Sequence, residues 1–387
     1  MVEVTGGPAS IAADCQDMQT TARLLGSVGV RICDDAVELH AYLIDFRLLE
    51  SALFDPGGAL SFETTLIDAL DGPTGLGPLG AHCLELQVSL AAAAQAYLTV
   101  ESDVRRLAPQ YLPDLMLDRL TFGHLGSLAG LLGRLYPDGD PTLTTLGVDS
   151  AGDEAGPPRD LAGLVAGLDR RGRGQPGAVD VRIMTGAEPV RHVVVDIPGT
   201  RDWSFDRHDA DVANVGTNLR AMAGQHTTYE RGVIEAMAAA GVRAGDDVTL
   251  VGHSLGGVIA VNAARTLATA GGVTVNRVIT AGAPISGVVG RVPTSVRVLA
   301  LENRYDVVPH SDGAPNPDLG NVTTATFGRE HGDVGANHGL SQSYLPGARE
   351  VQADDDRSIA AFLRDLQPTF EASSVVTSSY VVTRTLQ

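Results

Sequence analysis

Ser254 stands in Gly252-His253-Ser254-Leu255-Gly256-Gly257, directly after the apolar run Asp247-Val248-Thr249-Leu250-Val251 and directly before the helix-like stretch Val258 to Ala270. A serine on a sharp turn between a buried strand and a helix projects its hydroxyl from the edge of the sheet, where it can act as a nucleophile. Gly252 and Gly256 leave room for the two backbones to approach each other. The start of the helix also aims its positive end at the hydroxyl. A bare Gly-x-Ser-x-Gly says little in a chain with 45 glycines, and the plain alternative is a glycine-rich turn of another parallel-sheet protein. The strand before it and the helix after it favour the nucleophile.

This segment resembles the elbow of the α/β-hydrolase family, and in particular that of class 3 lipases, whose Gly-His-Ser-Leu-Gly-Gly is similar. The resemblance covers about the second half of the chain. It implies a mostly parallel sheet flanked by helices and hydrolysis of carboxylic esters by a lipase or esterase. A serine hydroxyl needs a histidine to take its proton and a carboxylate to hold that histidine in the right tautomer, and in this family they follow the serine in the order acid, then base. Asp306 is the expected acid: it lies a few residues past the strand Val296 to Leu301, at the sheet edge where the elbow also sits. Its setting, Asn303-x-x-Asp306-x-Val308-Pro309, is similar to the acid-bearing segment of class 3 lipases. Asp312 and Asp318 are the other carboxylates of that loop.

Three histidines follow Ser254: His310, His331 and His338. His338, in Gly335-Ala336-Asn337-His338-Gly339-Leu340, follows the last expected strand by a loop long enough to fold back over Ser254, and its position before a closing helix resembles that of the family's histidine. His331 is the alternative base, closer to the strand Val322 to Phe327. His253, inside the elbow, is expected to pack or hydrogen-bond locally. The tetrahedral intermediate needs two donors on its oxygen. The N–H of Leu255 is one, and the loop Ile197-Pro198-Gly199-Thr200 after the strand His192 to Asp196 is placed to supply the other. By resemblance to the Gly-Ser or Gly-Thr of class 3 lipases, Thr200 is that donor, through its N–H or its hydroxyl. The aromatic-Arg pair usual before that glycine is replaced by Ile197-Pro198. Trp203, the single Trp, is expected to pack the loop.

Short β-branched runs alternating with helices, at 179–183, 192–196, 248–252, 278–280, 296–301 and 322–327, predict the mostly parallel sheet. The first half reads differently. Ile11, Cys15, Met18, Ala22, Leu25, Gly29, Ile32, Ala36, Leu39, Leu43 and Phe46 form a heptad seam, predicting one long helix that stops near Phe54, before Asp55-Pro56-Gly57-Gly58. A short helix is expected around Phe62 to Leu70, and a second long one from Gly80 to Arg106, so that two seams bury each other as a hairpin. Shorter amphipathic helices follow over Leu112 to Leu135. The predicted organisation is a helical hairpin or bundle at 1–136, a linker at 137–158 rich in Asp, Gly, Thr and Pro, an α/β-hydrolase domain at 159–368 and a tail at 369–387.

The hairpin resembles the WXG-type proteins of type VII secretion systems, although Phe54 with Gly57 is only a loose substitute for their Trp-x-Gly turn. Tyr97-Leu98-Thr99-Val100-Glu101 is similar to the export signal of that system, with Tyr97 and Glu101 on one helical face. The resemblance implies export without a cleavable signal peptide and a secretion-machinery or helical partner. The other readings of this half are a lid over the active site and, for location, the cytoplasm. An ordinary packed tyrosine is the plain reading of Tyr97.

Composition narrows the rest. The net charge is −19 and no Arg cluster opposes that field, so nucleic acid is not an expected partner. Cys15, Cys33 and Cys83 lack the spacing of a zinc site and are expected to be free thiols. No apolar run is long enough to span a bilayer, and Met1 is not followed by the pattern of a signal peptide. The expected substrate is a small ester or lipid, with no metal or cofactor. The rivals are a thioesterase or acyltransferase on the same triad, and an exported interaction or effector protein whose hydrolase domain is phospholipase-like or inert.

Overall fold

The structure is a computed structural model that describes residues 2–8, 11–88, 91, 138–149, 156–187, 189–200 and 210–385. The chain divides into two compact units, Ile11–Gln110 and a second made of Met1–Ser10 with Tyr111–Gln387.

The helical unit opens with α1 (Ile11–His40), followed by a 3₁₀ turn, Ala41–Ile44. The expected seam is visible on it: Ala22, Gly29 and Ala36 are buried and Leu25, Ile32 and Leu39 half-buried, while the residues between are largely exposed. Gly29 faces the stretch helical over 76–88, since a Cβ there would stand 3.0 Å from the Gly80 carbonyl and 3.1 Å from the Cys83 Cβ. The single helix expected to run to Phe54 is interrupted. Asp45 is extended (φ −67°, ψ 130°) and its carboxylate accepts the Arg47 N–H at 2.7 Å, so it ends one helix and caps the next, α2 (Phe46–Phe54). The short helix expected around Phe62 is the longer α3 (Pro56–Asp71), started by the Asp55 cap and Pro56 at its first position. Cys33 and Cys83 are free. The expected helix beyond residue 91, with Tyr97 and Glu101, and the helices over 112–135 lie outside the described residues.

The second unit is an α/β structure around one nine-stranded mixed sheet, in the order β1-β8-β7-β6-β5-β4-β3-β9-β2. The strands are β1 (Glu3–Gly6), β2 (Asp140–Asp149), β3 (Ala178–Thr185), β4 (His192–Ile197), β5 (Asp247–His253), β6 (Val275–Ala281), β7 (Arg297–Asn303), β8 (Val322–Phe327) and β9 (Ser374–Thr385). Strands β4 to β8 are parallel; β1, β2, β3 and β9 pair antiparallel. The six strands expected from sequence are β3 to β8. The other three change the expected boundaries. The supposed linker over 137–158 carries β2, and the supposed tail over 369–387 carries β9, which lies between β3 and β2 in the same sheet. β1 comes from the first residues of the chain, outside the span assigned to the α/β part.

Six consecutive residues of β4 are buried, as a strand covered on both faces requires. Alternation divides them: Val193, Val195 and Ile197 join the core beneath α5 (Val215–Met222), α6 (Thr228–Ala239) and α7 (Leu255–Ala270), whereas Val194 joins the core on the other face, with α4 (Leu161–Gly172), Tyr344 and α11 (Arg357–Phe370). Between α7 and α11 lie α8 (Ser286–Val289), α9 (Val334–His338), a π-turn Leu340–Tyr344 and α10 (Leu345–Gln352). No helix among the described residues is long and apolar enough to cross a membrane.

Candidate active site

β5 is the middle strand of the nine, and α7 begins one residue after Ser254. Ser254 has φ 54° and ψ −126°, and is the one non-glycine residue with positive φ among those described. Such a conformation costs of the order of 1–3 kcal/mol and persists only where the surroundings enforce it. Here they do: the Ser254 N–H donates to the Ala281 carbonyl on β6 at 2.9 Å, and its carbonyl accepts the Gly257 N–H at 3.0 Å. Both elbow glycines are sterically required. A Cβ at Gly252 would stand 2.2 Å from the Gly256 carbonyl oxygen, and one at Gly256 only 1.9 Å from that of Ile197.

The loop after β4 lies against this bend. A Cβ on Gly199 would come within 2.7 Å of both the Ser254 Cβ and the His253 carbonyl. The Pro198 carbonyl accepts a hydrogen bond from the buried Tyr229 hydroxyl at 3.1 Å. Thr200 follows at once, and its hydroxyl accepts from Asn218 Nδ2 at 2.9 Å, which leaves the hydroxyl proton available to donate elsewhere. Leu255 occupies the first position of α7, where a backbone N–H has no acceptor within the helix. Trp203 lies outside the described residues.

Asp306 sits three residues beyond β7. Its Oδ2 accepts from His338 Nδ1 at 2.7 Å and from the Tyr344 hydroxyl at 2.6 Å, and its Oδ1 accepts the Val308 N–H at 3.0 Å. Burial works to raise this carboxyl; the hydrogen bond from His338, that imidazole's charge and the Tyr344 and Val308 donors outweigh it, so it titrates below the ordinary carboxylate value. Donation from Nδ1 fixes the imidazole tautomer and leaves Nε2 as an acceptor when the ring is neutral.

His338 ends α9, a helix capped by Asp333, whose carboxylate accepts the Ala336 N–H at 2.8 Å. The His338 ring lies 4.5 Å, centroid to centroid, from the ring of His253, the residue just before Ser254, and its carbonyl accepts from His253 Nε2 at 2.9 Å. Among the described residues no hydrogen bond joins His338 Nε2 to Ser254 Oγ. Burial, reinforced by the charge of His338, pushes His253 down to about 3. It is therefore a neutral N–H donor that holds the His338 loop, in keeping with the local role expected of it.

Of the other candidates, His331 is exposed and held through its backbone, its N–H donating to Asn337 Oδ1 at 2.8 Å. His310 is exposed. Asp312 accepts the Ser286 N–H at 2.7 Å. The structure thus brings Asp306 and His338 into contact and sets the His338 segment on the elbow. Tyr97 and Glu101 cannot be placed, being outside the described residues.

Two further residues hold the pair in place. Asn303, fully buried at the end of β7, donates through Nδ2 to the carbonyls of Arg329 (2.8 Å) and Asn337 (3.0 Å) and accepts the Arg329 N–H (2.9 Å). It ties the strand that delivers Asp306 to the segment that delivers His338; its signal was the Asn303-x-x-Asp306 spacing itself. Tyr344 is the other. The π-turn carries it back to Asp306, and nothing in its sequence surroundings announces that.

A cleft of about 490 Å³ is lined by Gly199, Thr200, His253, Leu340, Gln342 and Arg173, the last at the end of α4. No group of three or more His, Cys, Asp or Glu arranged to hold a metal occurs among the described residues. No protein-family model matches the chain, and a search of curated proteins found no significant match.

Proposed function

We propose that this chain is a serine hydrolase of α/β-hydrolase type that cleaves carboxylic esters through an acyl-enzyme. The observation that carries the reading is Ser254 held at φ 54° on the strand-to-helix bend, with the Asp306–His338 pair packed on the neighbouring His253. In this reading Ser254 Oγ attacks the ester carbonyl while His338 Nε2 takes its proton. Asp306 keeps Nδ1 protonated and stabilises the imidazolium. The developing oxyanion is met by the N–H of Leu255 and by Thr200, each donor worth about 3 kcal/mol of barrier. His338 then returns the proton to the leaving alcohol, and a water deprotonated by the same imidazole releases the acid.

The N-terminal helices are read as a hairpin of the WXG type serving export; the close approach of Gly29 to Gly80 supports the pairing of two helices that this reading needs. Hydrolysis of nitrophenyl esters from acetate to palmitate, by the native protein and Ser254→Ala, tests the enzymatic reading. Turnover is expected to fall at least about a thousandfold in the variant, as for other triad nucleophiles. Equal turnover by both proteins would refute it.

A further inference from the structure

We infer that Tyr344 is a positioning residue of this site, whose hydroxyl fixes the Asp306 carboxylate and draws off part of its charge, thereby setting the lower pH limit of the reaction. The inference rests on the hydrolase reading and extends it to a residue outside the triad. Tyr344 Oη donates to the same carboxylate oxygen, Oδ2, that holds His338. Its proton has a fixed direction, because Oη in turn accepts the Asn303 N–H at 3.3 Å. The ring is fully buried and makes edge contacts with His338, His253 and Phe327 at centroid distances of 6.5, 6.0 and 5.5 Å. Room for this contact is provided by Gly282, at φ 60°: a Cβ there would stand 2.6 Å from the Tyr344 hydroxyl and 2.9 Å from Asp306 Oδ2. A neighbouring backbone position is thus confined to glycine at the point where hydroxyl and carboxylate meet.

The chemical consequence follows from sharing. A carboxylate oxygen with two donors attracts an adjacent imidazolium less than one with a single donor. Removing the hydroxyl therefore favours the protonated Asp306–His338 pair, and activity should fail at a higher pH than in the native protein. The other ionisable groups around the pair are common to the native protein, Tyr344→Phe and Phe327→Leu, so their titration cancels in the comparison. Burial and the charge of His338 hold His253 down at about 3, and burial together with Asp312 and Asp306 holds Glu302 up at about 8. Asp312, also raised by burial, is anchored on Ser286. Tyr344 itself is pushed far above its ordinary value by burial and by Asp306, and remains a neutral donor.

The test is the pH profile of kcat/KM for a soluble ester with the native chain, Tyr344→Phe and Phe327→Leu. Tyr344→Phe keeps the ring and is expected to move the acid limb up by about half a pH unit or more, with kcat reduced and KM unchanged, because the residue is buried. Phe327→Leu damages the packing around the same ring without touching the hydroxyl, and should leave the limb where it was. Coincident profiles for native and Tyr344→Phe, or an equal displacement in Phe327→Leu, would overturn the inference. If the native protein hydrolyses no ester, the enzymatic reading fails instead. NMR titration of the Asp306–His338 pair in native and Tyr344→Phe protein then still decides the role of the hydroxyl, by the presence or absence of the same displacement.

Discussion

Replacing Glu302 by Gln should change how the stability of the protein depends on pH, by an amount that can be worked from its surroundings. Glu302 lies near the end of β7, 8% exposed, and its Oε1 accepts from Asn316 Nδ2 at 2.7 Å. Burial, then the nearby Asp312 and Asp306, raise its carboxyl from the ordinary 4.5 to about 8. A group whose value is higher in the folded than in the unfolded state stabilises fully below the unfolded value and loses that contribution as pH rises through the folded one. At about 1.4 kcal/mol per pH unit, the contribution lost by pH 9 has an upper bound of about 5 kcal/mol. Gln keeps the Oε1 acceptor but never ionises. Thermal unfolding of native protein and Glu302→Gln at pH 5 and pH 9 isolates the effect, since carboxylates common to both proteins cancel. The variant should gain on the native protein at pH 9 by several degrees, at about 2–4 °C per kcal/mol for a unit of this size. A difference between the two proteins that is the same at both pH values would refute the reasoning.

Two further substitutions probe the site. Asp306→Asn removes the carboxylate that fixes the His338 tautomer, and should lower kcat for ester hydrolysis by about three to four orders of magnitude while circular dichroism shows an intact fold; a loss below tenfold would dissociate Asp306 from the chemistry. Gly256→Ala drives a Cβ to within 1.9 Å of the Ile197 carbonyl, displacing the loop after β4 from the elbow. Thermal unfolding should show a destabilisation of more than about 2 kcal/mol and esterase activity should collapse with it; a variant of native stability and activity would contradict the close approach of β4 to the bend.

The parts of the site legible in the sequence are those whose geometry is local. Asp247 to Val251 is an apolar run that leads straight into Gly252-His253-Ser254, so strand, bend and helix are written in consecutive residues. Asp306 was expected from its place just past a strand, and His338 from the length of the loop before it and its resemblance in setting to the family's histidine; the two side chains do meet. The rest depended on partners distant in the chain. Thr142, Thr144 and Thr145 of β2, flanked by Pro141 and Gly147, read as a polar connection because their pairing partners lie more than two hundred residues away, on β9. β9 itself is rich in β-branched residues, but its position beyond the closing helix suggested a tail; it is held inside the sheet by β3 on one side and β2 on the other. In the helical unit the apolar repeat continues through Leu43 and Phe46, which masked the break that Asp45 makes by capping α2. Tyr344 was illegible for a related reason: the π-turn Leu340–Tyr344 breaks the 3.6-residue periodicity by which a helical position is assigned to a face.

The most direct test of a nucleophilic Ser254 is reaction of the native chain with a fluorophosphonate, followed by intact mass and peptide mapping. One adduct per chain on the peptide containing Ser254 is expected, with none on Ser254→Ala and much slower labelling of His338→Ala. A native protein that stays unlabelled, or that carries the adduct on another serine, would contradict the account.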